Sequence, residues 1–127
     1  MGLQGLTAAG LIAELLLTGH TESPPQLLPL AACGLSLGAL SGLAVAPGAP
    51  TLRVQRAVGA LGLLVGAFGV FEHLEHNYEF AAEIRPSAAF AELVVPALTG
   101  ANPLLAPGAV AALGLMALAA AWRHPAG

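Results

Sequence analysis

A chain of 127 residues with 9% charged and 57% hydrophobic residues has too few charges to cover itself with a water-facing surface, since a soluble domain carries roughly a quarter charged residues. Its net charge is −3, with four Lys plus Arg against seven Asp plus Glu, and it holds no basic run, which excludes nucleic acid as a partner. The single cysteine, Cys33, excludes an intrachain disulfide and a thiolate metal site, and is read as a small apolar residue inside a helix.

Mean hydropathy is +0.80, so the exterior is expected to face lipid, and the bilayer is the first expected partner. The N-terminus makes a poor signal peptide: it lacks a positive residue, and Glu14 interrupts its apolar run. Leu6 stands where a myristoylation signal wants Ser or Thr. Residues 1–127 are read as one four-span domain, with spans at about 3–19, 27–46, 57–74 and 104–122. His20-Thr21-Glu22-Ser23-Pro24-Pro25 closes the first span. Pro47-Gly48-Ala49-Pro50, followed by a short basic loop with Arg53 and Arg56, closes the second.

The third span has no breaker between Arg56 and Pro86. Its helix should therefore run on through about 75–84, reaching roughly 40 Å in all, which exceeds the ~30 Å hydrocarbon core. Residues 87–103, broken by Pro96 and Gly100, are too short for a fifth span. They are expected to form a short helix in the membrane interface or folded back over the bundle, the alternative being a re-entrant segment. The fold class expected is thus all-α, an integral membrane four-helix bundle with an extended third helix and a short interfacial helix before the fourth span.

Arg53, Arg56 and Arg123 lie on one side and only Arg85 on the other. The positive-inside rule then places both termini in the cytoplasm, and the expected location is a bacterial inner (plasma) membrane. Gly34, Gly38 and Gly42 recur in the second span, and Gly59, Gly62, Gly66 and Gly69 in the third. Small residues on one stripe let helices approach closely in lipid, either within one chain or between copies in a homo-oligomer.

The orientation brings His20 and Glu22 to the level of Glu72 to Glu83 on the outer side. Taking Glu72 as origin, Glu75, His76, Glu79 and Glu83 share an arc of about 100°, with His73 beside it. Glu75, Glu79 and Glu83 are successive like-charge i, i+4 pairs, each unfavourable by roughly 0.2–0.5 kcal/mol, so a cation is expected on this face. Carboxylate with imidazole is the ligand set for a divalent or transition-metal ion. The expected metal ligands are Glu72, His76, Glu79 and Glu83, with His73, Glu75, His20 and Glu22 as additional candidates. Glu14, an intramembrane acid in the outer half of the first span, suggests a site or a path. The plainer readings are a solvated acidic helix end and, for Glu14, a hydrogen bond to a neighbouring helix.

Known motif grammars fail here. Neither Glu-x-x-His nor His-Glu-x-x-His occurs, and His73-x-x-His76 alone is a weak signal. Haem or chlorin is disfavoured, because four glutamates would crowd the iron and few aromatics exist to line a macrocycle. No Ser or Cys stands near the histidines in the chain, so nothing marks an enzyme with a nucleophile. His124 reads as a tail residue at the interface. Three functions remain open: an outer-side cation-binding membrane protein, an accessory subunit docking a larger membrane complex through its acidic helix end, and a small oligomeric transporter with Glu14 in its path.

Overall fold

The computed structural model describes residues 1–122 and 124. Among these residues the chain is all-helical and forms no strand, with α1 at Gly2–Leu17, α2 at Pro24–Val45, α3 at Ala49–Ile84, α4 at Phe90–Thr99 and α5 at Leu105–Ala120. Arg123, one of the arginines used to orient the chain, lies outside the described residues.

Local chemistry explains where each helix begins and stops. Gly19 takes a left-handed φ of 68°, which closes α1 with His20 N–H donating to Leu15 O at 2.9 Å and Gly19 N–H to Leu16 O at 3.3 Å, the paired bonds of a glycine C-cap. Pro24 and Pro25 were expected to end the first span; they also open α2. A proline in the first turn lacks only an N–H that the helix would leave unpaired, and Gln26 Oε1 accepts from the N–H groups of Glu22 and Ser23.

The basic loop expected around Arg53 and Arg56 is instead the first two turns of α3. Pro50 sits in the first turn, and Thr51 Oγ1 accepts from Gly48 N–H at 3.1 Å while donating to Ala46 O at 2.9 Å. These bonds tighten the connection to a few residues and start the helix eight positions earlier than its apolar part. Arg56 reaches across to donate to Ala121 O at 3.1 Å, a cation on the carbonyl end of α5. At the other end α3 runs unbroken to Ile84, as the sequence predicts, and stops before Pro86.

Two helices, α2 and α3, are long and apolar enough to cross a membrane. They measure about 33 Å and about 54 Å at ~1.5 Å per residue. The 16-residue helices α1 and α5 are shorter than the expected spans, at about 24 Å each. Gly19 ends one early and the turn at Asn102 and Pro103 delays the other.

Packing centres on α3, which meets α2, α4 and α5, while α1 lies against α2 and α5. One apolar cluster joins Ala8, Leu11, Ala32, Cys33, Val110 and Leu113; a smaller one joins Leu43, Leu52 and Ala121. Between them runs a buried polar tie: Gln55 Nε2 donates to Gln4 Oε1 at 2.9 Å, and Gln4 Nε2 donates to Ser36 Oγ at 3.0 Å. Side-chain bonds of this kind hold helices together where hydrophobic drive is weak.

The two glycine stripes have different fates. Gly59, Gly62 and Gly66 press against α5, where a methyl group at Gly62 would stand 3.1 Å from the Gly114 Cα and one at Gly59 3.0 Å from the Gly114 carbonyl. Gly34, Gly38 and Gly42 face open space, with nothing within 4 Å of a methyl at any of them.

Candidate functional site

A cavity of about 560 Å³ lies between the end of α1, the start of α2, the middle of α3 and the start of α5. The α3 side is one helical stripe, Val65, Phe68, Gly69, Glu72, His73 and His76, whose 3, 4 and 7 spacing sets them on a single face. Facing it, α1 contributes Leu11, Glu14, Leu15 and Thr18, and the turn after it contributes His20 and Ser23. The glycine C-cap is what folds His20 back over the end of α1. Two carboxylates and three imidazoles thus share one cavity whose remaining wall is mostly apolar.

Of the residues singled out in the sequence, Glu14, Glu72, His20, His73 and His76 line this cavity, whereas Glu22, Glu75, Glu79 and Glu83 do not. Glu79 and Glu83 continue the Glu72 face about two and three turns further along the helix, both exposed and beyond the cavity lining. The acidic face is therefore longer than the cavity. Among the described residues, no three His, Cys, Asp or Glu side chains converge closely enough to hold one metal ion.

The two histidines on α3 are held in the same way. His73 Nδ1 lies 2.8 Å from Pro103 O, and His76 Nδ1 lies 2.7 Å from Glu72 O. A carbonyl only accepts, so each Nδ1 carries the proton, and in the neutral ring each Nε2 keeps its lone pair. The bond to the Glu72 carbonyl raises the pKa of His76 above the ordinary 6.5, the negative charges of Glu72, Glu79 and Glu75 add to this, and its slight desolvation opposes it.

The other face of the α3 extension is covered. Helix α4 folds back along it, burying Leu93 and Ala97, with the Tyr78 and Phe90 rings 5.8 Å apart. Asn77, 3% exposed, donates from Nδ2 to Ala97 O and Asn102 O and accepts from Asn102 N–H, all at 2.9 Å. Together with His73 on Pro103, this pins the α4–α5 connection beside the cavity. Helical spacing puts Asn77 beside the acidic face, while its partners lie 20 and 25 positions further along the chain. Asn102, Thr18, Ser23 and Gln26, which also line the cavity, went unmarked; the one signal for them was their place at helix ends beside apolar runs.

The fold and this end of it define an all-helical protein with an acid- and imidazole-lined cavity. No known protein family, characterised protein or solved structure matches the chain.

Proposed function

We propose that this is an integral membrane four-helix bundle of a bacterial inner membrane, with both termini cytoplasmic and α4 at the outer interface, and that it binds a divalent or transition-metal cation at its acid- and imidazole-lined end. The membrane part is supported by the exterior: Leu6, Leu17, Val45, Leu64, Leu105 and Trp122 are each more than two-thirds exposed, on four different helices or their ends. Apolar exposure of that spread marks a surface meant for lipid or partners. A bilayer would thin, or flanking residues would snorkel, to match the 16-residue α1 and α5.

The observation that carries cation binding is the orientation of His73 and His76. A ligating histidine characteristically donates its other ring N–H to a carbonyl or carboxylate, which fixes the tautomer and aims the free nitrogen. Here both rings are so held, one turn apart and next to Glu72. The binding centre is then Glu72, His73 and His76, with Glu14 and His20 across the cavity. Glu79 and Glu83, candidates on the sequence, contribute through their field. Because no three of these groups converge among the described residues, bringing them onto one ion takes side-chain rotation, which lowers affinity.

The test is thermal melting of the detergent-solubilised protein with Zn(II) or Mn(II), alongside elemental analysis. A ligand that binds the folded state stabilises it by mass action, by about 2.7 kcal/mol at a hundredfold excess over Kd. His76→Ala and Glu72→Gln should lose most of the metal-induced rise, and Glu79→Gln should keep it. Metal and proton compete for Nε2. Since the pKa of His76 is raised, binding should begin to weaken at a higher pH than an ordinary histidine would dictate, as pH falls. No rise in any variant, or an equal rise in all, would defeat the proposal.

Topology is checked separately. With Cys33 replaced by Ala, Thr21→Cys and Ser87→Cys should react with an impermeant maleimide on intact cells, and Ala49→Cys should not. Labelling at Ala49 alone would invert the chain.

A second reading, an accessory subunit of a larger membrane complex or a homo-oligomer such as a small transporter, has one observation in its favour. The open stripe of Gly34, Gly38 and Gly42 lines a groove of about 350 Å³ with Thr51, Val54 and Val58. The mass of the protein in nanodiscs distinguishes a single chain from such an assembly.

A further inference from the structure

We infer that the cavity takes an amphiphilic organic cation, with an ammonium head at the Glu14 carboxylate and an apolar body along Leu11, Val65, Phe68 and Val110. The inference rests on the membrane reading proposed above and on the cavity itself, and does not require metal binding.

Size and walls point the same way. A space of about 560 Å³ lies within the roughly 300–1,000 Å³ of small-molecule sites and far exceeds what one metal ion fills. Its acids are Glu14 and Glu72, and no arginine lines it. Such a wall selects a positive charge at one end of a ligand and apolar surface along the rest.

Glu14 needs that charge most. It is an exposed residue between Leu11 and Leu15 on α1, at the edge of the cavity, and no side chain among the described residues pairs with its carboxylate. A carboxylate held at the level of an apolar wall is costly unless a cation or water accompanies it. The backbone adds a second acceptor. Pro29 lies inside α2 and has no N–H, so the Pro25 carbonyl lacks its helical donor; both prolines line the cavity. An ammonium group offers three donors, enough for the Glu14 carboxylate and a spare carbonyl.

The ammonium could arrive on a lipid headgroup, such as phosphatidylethanolamine, or on a free amphiphilic amine, and the test separates these. The full chain is placed in phosphatidylglycerol nanodiscs, and dodecylamine binding is read by native mass spectrometry and by thermal melting. Dodecanol and dodecanoate serve as controls of equal chain length. Dodecylamine alone should bind with defined stoichiometry and raise the melting temperature. Glu14→Gln should bind it about tenfold more weakly, the size expected for one lost charge-assisted contact. Glu14→Asp and the off-cavity Glu22→Gln should retain binding. Val65→Phe, which fills the slot and leaves both carboxylates in place, should lose it even if Glu14→Gln folds poorly.

If phosphatidylethanolamine added to the discs suppresses the dodecylamine response, the lipid headgroup is the source; if it does not, a free amine is. Equal responses to dodecanol, or an unchanged response in both Glu14→Gln and Val65→Phe, would overturn the inference. Zn(II) run in parallel keeps the two proposals apart: failure of zinc with success of the amine removes the metal reading alone, and the converse removes this one.

Discussion

Replacing Gly66 with leucine should break the α3–α5 contact and leave little folded protein in detergent. A methyl group at Gly66 would already overlap the Ala111 backbone, and the seam is equally tight from the other side, where a methyl at Gly114 would stand 2.6 Å from both the Gly59 carbonyl and the Leu63 nitrogen. The obstacles are main-chain atoms, which cannot swing aside as a side-chain tip can. Ordinary overpacking costs about 1–3 kcal/mol, and a clash of two helix backbones should exceed the upper figure. Gly38→Ala is the matched control. Nothing lies within 4 Å of it, and alanine favours a helix over glycine by roughly 0.5–1 kcal/mol, so this variant should be neutral or slightly more stable. Thermal melts of the two variants check the contrast. Comparable losses would mean that the α2 stripe is also packed against another helix, which would come from a second chain.

Asn77→Leu should be the most damaging polar substitution. The change keeps the forked shape, with bulkier methyl groups, but removes the amide that pairs with Ala97 O, Asn102 O and Asn102 N–H. A buried group left without its partner costs about 1–3 kcal/mol, so the loss should reach about 3 kcal/mol or more for the set. Gly100→Ala should act through the same contact, because a methyl there would stand 2.5 Å from Asn77 Cγ. The double variant should then be less harmful than the sum of the two, the mark of a shared interaction. Limited proteolysis across 99–104 is the direct readout: cleavage should speed up in either variant and stay slow in Ser41→Ala, an exposed position on α2. Unchanged cleavage in Asn77→Leu would show that α4 is held by its apolar contacts alone.

Much of the helix pattern was legible along the chain, because its signals are local. The unbroken run to Ile84 followed from the absence of any breaker before Pro86. The turn at His20 to Ser23 followed from polar residues and two prolines between apolar runs, whereas the left-handed Gly19 that closes α1 was not singled out. Hydropathy alone puts the start of α3 at about Ala57 and makes Arg53 and Arg56 a loop, whereas the helix begins at Ala49. What begins a helix is its cap and first turn, and Gly48, Pro50 and Thr51 supply those whatever the polarity of the residues that follow.

The site was legible only in part for a related reason. Helical spacing put Glu72, His76, Glu79 and Glu83 on one face, and they share it. Spacing is silent on how far up that face the other helices reach, and α1 stops at Leu17, which leaves Glu79 and Glu83 outside. Nor could spacing show that His73 would bond Pro103, or that Gln4, Ser36 and Gln55, separated by 32 and 51 positions, would form one buried chain of hydrogen bonds.

By itself, then, the amino-acid order determined that the chain is helical, where most helices end, and that α2 and α3 are long and apolar enough to cross a membrane, since composition, caps and breakers act within a few residues. The tertiary structure decided which faces meet. Two glycine stripes of similar spacing divided into one sealed against α5 and one left open, and the acidic face divided at His76 into a part that lines the cavity with Glu14 and His20 and a part that stays exposed outside it. Periodicity fixes the direction in which a side chain leaves its helix, but what it encounters depends on the lengths and crossings of the other helices, which only their mutual packing sets.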